Sequence, residues 1–345
     1  MVALSVLDLS FMVSGGSGPA ALRNTVDLAR LVDGLGYRRF WVAEHHNLPS
    51  VASPAPEIMI GQIAAATRNL RVGAGGVMLP NHAPLLVAER YKVLEALFPG
   101  RIDLGIGRAP GTDQLTAFAL RRRHDQDPEG DFLDRLQELM AWDKGFTDGH
   151  PFRSIRAMPA DVGLPPIWVL GSSGYGAALA ASIGVGYAFA HHFAAHDATD
   201  AMLGYRRSFR PSGRLERPYA ILAVAVVCAD TDAEAEWLAG SIDLMHLRRS
   251  HGEFVPVPSP EEAAGWPYTE ADRARIRQNR ARLTVGSPAT VLPRLAQLVA
   301  ATQADELMVT TPVHDHAARR RSYELLAGIA GEIDAVRAEA AGTAA

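Results

Sequence analysis

The chain has 345 residues, 48% of them hydrophobic and 21% charged, with a formal net charge of −4. That length and balance suit a globular enzyme with a sizeable core, and the charge excludes the basic footprint of a nucleic-acid binder. No apolar run approaches the ~18 residues of a membrane span, and no basic region leads into a long apolar stretch at the N-terminus, so neither membrane association nor a secretory leader is expected and the expected location is cytoplasmic.

Short apolar runs alternate with amphipathic stretches along the chain. Strands are predicted over 3–9, 39–43, 71–78, 101–106, 166–170, 186–190, 219–228 and 305–310, with helices between them, among them 19–35, 55–67, 84–97, 175–183, 231–248 and 316–337. Eight strands, each followed by a helix, predict an α/β protein of the (β/α)8 TIM barrel class, one domain over 1–345. The rival is an open doubly wound sheet. It should carry Gly-x-Gly-x-x-Gly after its first strand, and Ser14-Gly15-Gly16-Ser17-Gly18 lacks that spacing. Two stretches exceed a minimal barrel: about 111–160 after strand four and about 249–285 before strand eight. Insertions of that length read as lids or as disordered surface. The tail from Arg337 to Ala345 is expected to fray. Cys228, the only cysteine, sits in an apolar run and reads as core rather than nucleophile.

The strand ends carry the chemistry. Arg39-Phe40-Trp41-Val42-Ala43 runs into Glu44-His45-His46. A carboxylate beside imidazoles suits proton transfer, and His45 is the expected reacting group, supported by Glu44 and His46. The third strand contains Gly73, Gly75 and Gly76 and leads to Asn81 and His82. Glycines inside a strand mark either a bulge or close backbone approach by a ligand. The fourth strand ends at Arg108, readable as a phosphate or substrate contact or as a salt-bridge partner. The fifth runs into Gly171-Ser172-Ser173-Gly174-Tyr175-Gly176 and then a helix. A Gly/Ser turn entering a helix is an anion cradle, and a plain serine N-cap is the structural alternative. The sixth ends in His191-His192, expected in the same pocket together with Met12. His196, His314 and His316 have tempting spacing, but no His-Glu-x-x-His helix or carboxylate cluster accompanies them, so no metal is expected.

Taken in order, FWVAEHHN, RVGAGGVMLPNHAP, LFPGRIDLGIGRAPG, IWVLGSSGYGAALAA and TVGSPATVLPRLAQL resemble the bacterial luciferase-like flavin monooxygenases, in particular the alkanal-monooxygenase-like subgroup. The likeness runs from Leu4 through the terminal helix. It implies a (β/α)8 barrel binding reduced FMN at the C-terminal ends of the strands, with FMN delivered by a separate NAD(P)H:flavin reductase. It implies oxygenation of a small organic substrate by O2 through a C4a-peroxyflavin, and a homodimer. His45 matches the family's active-site histidine. Gly75-Gly76 matches a small-residue pair, joined by a cis peptide, that lies against the isoalloxazine. Arg108 and Ser173 match a flavin-contacting arginine and serine, so the cofactor set is read as Gly75, Gly76, Asn81, Arg108 and the turn Gly171, Ser172, Ser173, Gly174 and Tyr175. Ser172 departs from the luciferase pattern, which has glutamate there. The alternatives are an F420-dependent hydride-transfer enzyme on the same barrel, a non-catalytic flavin-binding protein, and an unrelated barrel hydrolase or isomerase.

Overall fold

The computed structural model describes residues 2–109, 111–121 and 128–336. Residues 122–127 of the first insertion and the tail expected to fray lie outside the described residues. Eight parallel strands close into a ring. They are β1 (Ala3–Asp8), β2 (Arg39–Val42), β3 (Arg71–Met78), β4 (Ile102–Gly107), β5 (Ile167–Gly171), β6 (Gly186–Ala190), β7 (Ala220–Cys228) and, last in the chain, β9 (Glu306–Thr310). The ring closes where β6 pairs with β7, β7 with β9 and β9 with β1. This is the predicted (β/α)8 barrel.

A ninth strand, β8 (Leu283–Gly286), was not predicted. It pairs with the second half of β7, from Ala225 opposite Leu283 to Cys228 opposite Gly286. Ala225 also pairs with Thr310 of β9, so β8 lies on the other edge of β7, beyond the point where β6 stops at Ala223. Four residues that bury only every second side chain, placed directly after a charged helix, carry too weak a pattern to be read as a strand.

The helices are α1 (Gly18–Gly34), α2 (Pro56–Ala66), α3 (Pro84–Leu97), α4 (Gln114–Arg121), α5 (Pro128–Lys144), α6 (Gly174–Ile183), α7 (Ala198–Ser208), α8 (Asp232–Ser250), α9 (Pro260–Ala264), α10 (Glu270–Arg280), α11 (Pro288–Thr302) and α12 (His316–Ile329). Proline opens α1, α2, α3, α9 and α11, where its missing N–H costs nothing. The stretch 249–285 is built rather than loose. Ser259 with Glu262, and Thr269 with Asp272, form reciprocal capping boxes that start α9 and α10.

Strand alternation sorts side chains into an outward and an inward core, and a third cluster joins Val227 to α8. Outward, Phe40, Val42, Val72, Leu104 and Leu222 join helix residues such as Leu28, Ile60 and Tyr91. Cys228 belongs to this layer, and burial pushes its thiol up to about 12. Inward, Leu7, Trp41, Trp168, Ile221, Ala223 and Met308 fill the barrel. Its N-terminal end is plugged by ions. Arg39 bonds Asp103 at 2.6 Å and Glu306 at 3.0 Å, Trp41 Nε1 donates to Asp103 at 3.1 Å, and the Tyr219 hydroxyl donates to Glu306 at 2.8 Å. With that end sealed, the opposite end is where a ligand can enter.

Candidate active site

A cavity of about 680 Å³ opens at the C-terminal end of the barrel, within the ~300–1,000 Å³ usual for cofactor and small-molecule sites. Its walls follow strand periodicity. Leu7 and Leu9 continue β1; Trp41, Ala43 and His45 continue β2; Gly107 ends β4. Ala188, Ala190 and His192 continue β6, Ala223 and Ala225 come from β7, and Met308 and Thr310 from β9. Along β2 and its extension every second residue lines the cavity, so His45 enters it and Glu44 and His46 do not.

In that phase Glu44 makes no hydrogen bond with His45 and reaches it only through its charge. Glu44 is fully buried outside the barrel lumen and serves other groups. Met78 N–H donates to it at 2.8 Å and Asn81 Nδ2 at 3.1 Å, while His46 Nε2 lies 2.8 Å and His82 Nε2 2.9 Å from its oxygens. Burial opposes its charge, but the bonds from His82, His46 and Met78 prevail and hold the carboxyl below its ordinary value. His46 and Asn81, expected in the substrate pocket and the cofactor set, are thus placed in a carboxylate-centred brace beneath the β3–α3 connection. Asn81 also accepts from Arg121 Nε at 2.9 Å.

His45 itself has a buried Nδ1 with no hydrogen-bond partner. Burial, then repulsion from Arg249, lowers its pKa to about 4, so the imidazole is neutral at pH 7. His192 also lines the cavity and is lowered to about 4 by burial, with its Nδ1 3.3 Å from the Ala223 carbonyl. His191, expected in the substrate pocket, is not a lining residue. Met12 is likewise not among them: its main chain bonds Ser50 and Val257, and Phe11 faces the cavity instead.

The β3 glycines have protein neighbours. The Gly75–Gly76 peptide is cis, and the β3–β4 register shifts between Ala74 and Val77. A Cβ on Gly75, which lines the cavity, would sit 3.0 Å from Leu7 and 3.1 Å from Trp41; one on Gly76, which does not, would sit 2.8 Å from the Gly105 carbonyl. Close strand packing therefore requires glycine at position 76 and leaves little room for a side chain at 75, before any ligand is considered.

Across the cavity, Gly171, Ser172, Ser173 and Tyr175 form part of the wall, while Gly174, the first residue of α6, is exposed and outside it. Ser173 caps α6 without a side-chain hydrogen bond, leaving the hydroxyl and the first-turn N–H groups available to an anion. Its carbonyl accepts from Tyr187 at 3.1 Å, which fixes the turn. Arg108 stacks over the Tyr175 ring at 4.4 Å, and the Tyr175 hydroxyl is buried without a partner.

The rest of the wall comes from residues not singled out in the sequence: Ile242, Met245, His246 and Arg249 of α8, then Glu253 and Phe254, and Asn279 and Arg282 from the end of α10. The insertion expected to be a lid or disordered surface is one side of the cavity. The i, i+3, i+4, i+7 spacing from Ile242 to Arg249 was a readable signal of one helical face; that this face meets the barrel mouth was not. Among the described residues, no group of three or more His, Cys, Asp or Glu is arranged to hold a metal ion, and no helix is long and apolar enough to cross a membrane.

Residues 4–306 match the family model for luciferase-like monooxygenases. The chain is 40% identical to a luciferase-like monooxygenase of Escherichia coli, covering 96% of this chain and 98% of the relative. It is 34% identical to the N-acetyl-S-alkylcysteine monooxygenase of Bacillus subtilis, covering 94% and 97%. The crystal structure of apo-MsnO8 superposes with a TM-score of 0.87 at 40% identity, covering 95% and 98%. These matches span the barrel and both insertions, and the chain belongs to the luciferase-like monooxygenase family.

Proposed function

We propose that the cavity binds reduced FMN as a co-substrate and, with O2, oxygenates a small organic molecule. The observation that carries this reading is convergence. An anion cradle at Ser172–Ser173, a glycine floor at Gly75 and a neutral buried imidazole at His45 all border one cavity. A phosphorylated ring system can touch all three.

The donor set suits such a group. The Ser172 and Ser173 hydroxyls, the α6 N-terminus and Arg108 would hold a phosphate. Gly75 leaves the surface of β3 flat where a ring would rest. The His45 Nδ1 and the Tyr175 hydroxyl are buried polar atoms lacking partners, a condition normally relieved by a ligand or an ordered water. Bound reduced flavin supplies the electrons that activate oxygen. The protein contributes position, dryness and a proton route. Trp41, Leu7 and Met308 beneath the site, and α8 with Phe254 at its mouth, keep water from the reacting centre. His45, uncharged at pH 7, can take a proton on one ring nitrogen and return it from the same place. Glu44 acts at one remove, by fixing the chain that leads into His45 and His46.

In this reading a separate NAD(P)H:flavin reductase supplies the reduced flavin and the active form is a homodimer. Anaerobic titration with reduced FMN, followed by admission of oxygen, tests it. The expected result is saturable binding of reduced FMN and flavin reoxidation that differs from that of free flavin. Absence of binding would overturn it, and binding of reduced F420 with hydride transfer and no oxygen uptake would replace it with the deazaflavin alternative.

A further inference from the structure

The face of α8 that borders the cavity changes character along its length. Ile242 is buried, Met245 and His246 are partly buried, and Arg249 is exposed. All four border the same space. Apolar depth thus gives way to a cationic mouth. The Arg249 guanidinium makes no hydrogen bond or ion pair with any described residue; it lies 5.7 Å from the centre of the Phe254 ring. Arg282 joins it in the lining. One of its Nη atoms donates to the Ala194 carbonyl at 2.9 Å, which fixes the head, while the other has only a 3.5 Å contact with Asn279. Glu253, the one carboxylate among the described lining residues, is paired with Arg248 at 2.8 Å. His246, between Met245 and the cations, is neutral at pH 7 because burial and then the charges of Arg249 and Arg282 oppose its protonation.

Two guanidinium groups with no free counter-charge, set at the rim of a largely apolar space, specify an anion. The planar fork of arginine matches a carboxylate with two parallel bonds. These cations lie on α8 and after α10. They belong to other elements than the serines and Arg108, which stand at the ends of β5 and β4.

We propose that the organic co-substrate is a carboxylate on an apolar body. The carboxylate pairs with Arg249, with Arg282 beside it, and the body runs inward along Met245 and Ile242 toward Trp41. This assignment rests on the reading of the cavity as a monooxygenase site and adds the class of molecule that it oxygenates.

Calorimetric titration of the full chain with octanoate and with octanamide tests it. The two probes share an apolar body and differ in charge. Octanoate is expected to bind at least about tenfold more tightly, the size of one charge-assisted pair. Arg249→Met should abolish that preference while leaving octanamide affinity unchanged, and Arg249→Lys should restore part of it. Equal affinities in the wild type, or a preference that survives Arg249→Met, would overturn the assignment. Repeating the octanoate titration with saturating FMN separates the two anion positions. Unchanged octanoate binding, or displacement by FMN that saturating inorganic phosphate does not reproduce, supports the assignment; displacement by inorganic phosphate as well would put the carboxylate in the phosphate cradle and overturn it. If FMN does not bind at all while the octanoate preference stands and depends on Arg249, the flavin reading fails and the carboxylate site survives.

Discussion

At the scale of single residues, the central contrast is between His45 and Glu44. They are adjacent in sequence and on opposite sides of the barrel wall, because successive side chains of a strand point to opposite faces. His45 borders the cavity; Glu44 braces His46, His82 and the Met78 amide. Their substitutions should therefore fail in different ways. His45→Asn is expected to lower turnover by about 10²–10⁴-fold, the usual contribution of a positioned acid–base group, with FMN affinity and melting temperature little changed. Glu44→Gln should instead lower the melting temperature, since it removes the charge that the two imidazoles and the amide share. Steady-state kinetics alongside thermal melts distinguish the two. Equal turnover in His45→Asn would remove the histidine from the mechanism.

At the scale of elements, the decisive feature is how tightly β3 and β4 approach. A Cβ on Gly105 would lie 2.0 Å from the Ala74 carbonyl and 2.8 Å from Leu170. Main chain cannot swing aside as a flexible side chain can. Gly105→Ala is expected to cost about 3 kcal/mol or more, at the upper end for overpacking. Gly174→Ala, with open space around its Cβ at the start of α6, should be neutral or stabilising by up to about 1 kcal/mol. Urea denaturation of the two variants measures both. A stable Gly105→Ala would mean that the strands can part more easily than this packing implies. The 249–285 insertion is also an element-level result. Its capping boxes, β8 and α10 hold Asn279 and Arg282 at the cavity, so a segment whose composition looks peripheral forms a wall of the site.

At the scale of the whole molecule, the cavity mouth makes stability depend on pH. His45, His192 and His246 each have a folded-state pKa of about 4, lowered from 6.5. Above pH 6.5 they are neutral whether the chain is folded or not. Between 6.5 and about 4 the unfolded chain takes up protons that the folded chain resists, so stability falls as pH falls. Each imidazole contributes up to roughly 3 kcal/mol to that loss. Glu44 and Asp103, both held below their ordinary values, push the same way at lower pH. Melting temperature should drop steeply from pH 6.5 to 4, and His246→Gln should make the slope shallower. A slope unchanged by that substitution would show that His246 protonates in the folded protein as it does in water.

The sequence by itself determined the class of barrel and eight of its strands, because alternation of short apolar runs with amphipathic stretches is a local property that each segment carries alone. It also placed His45, Arg108 and the Ser172–Ser173 turn at strand ends. Alternation could even have separated Glu44 from His45, since Trp41, Ala43 and His45 share one phase. Only the tertiary structure decided which residues beyond the strands meet the site. Arg249 and Arg282 are 33 positions apart in the chain and share a cavity because α8 and α10 fold back over the barrel mouth. No periodicity within either segment encodes where its partner lies. The brace of His46, His82 and Asn81 on Glu44 arose the same way, from a carboxylate that burial leaves no choice but to find donors on a neighbouring connection.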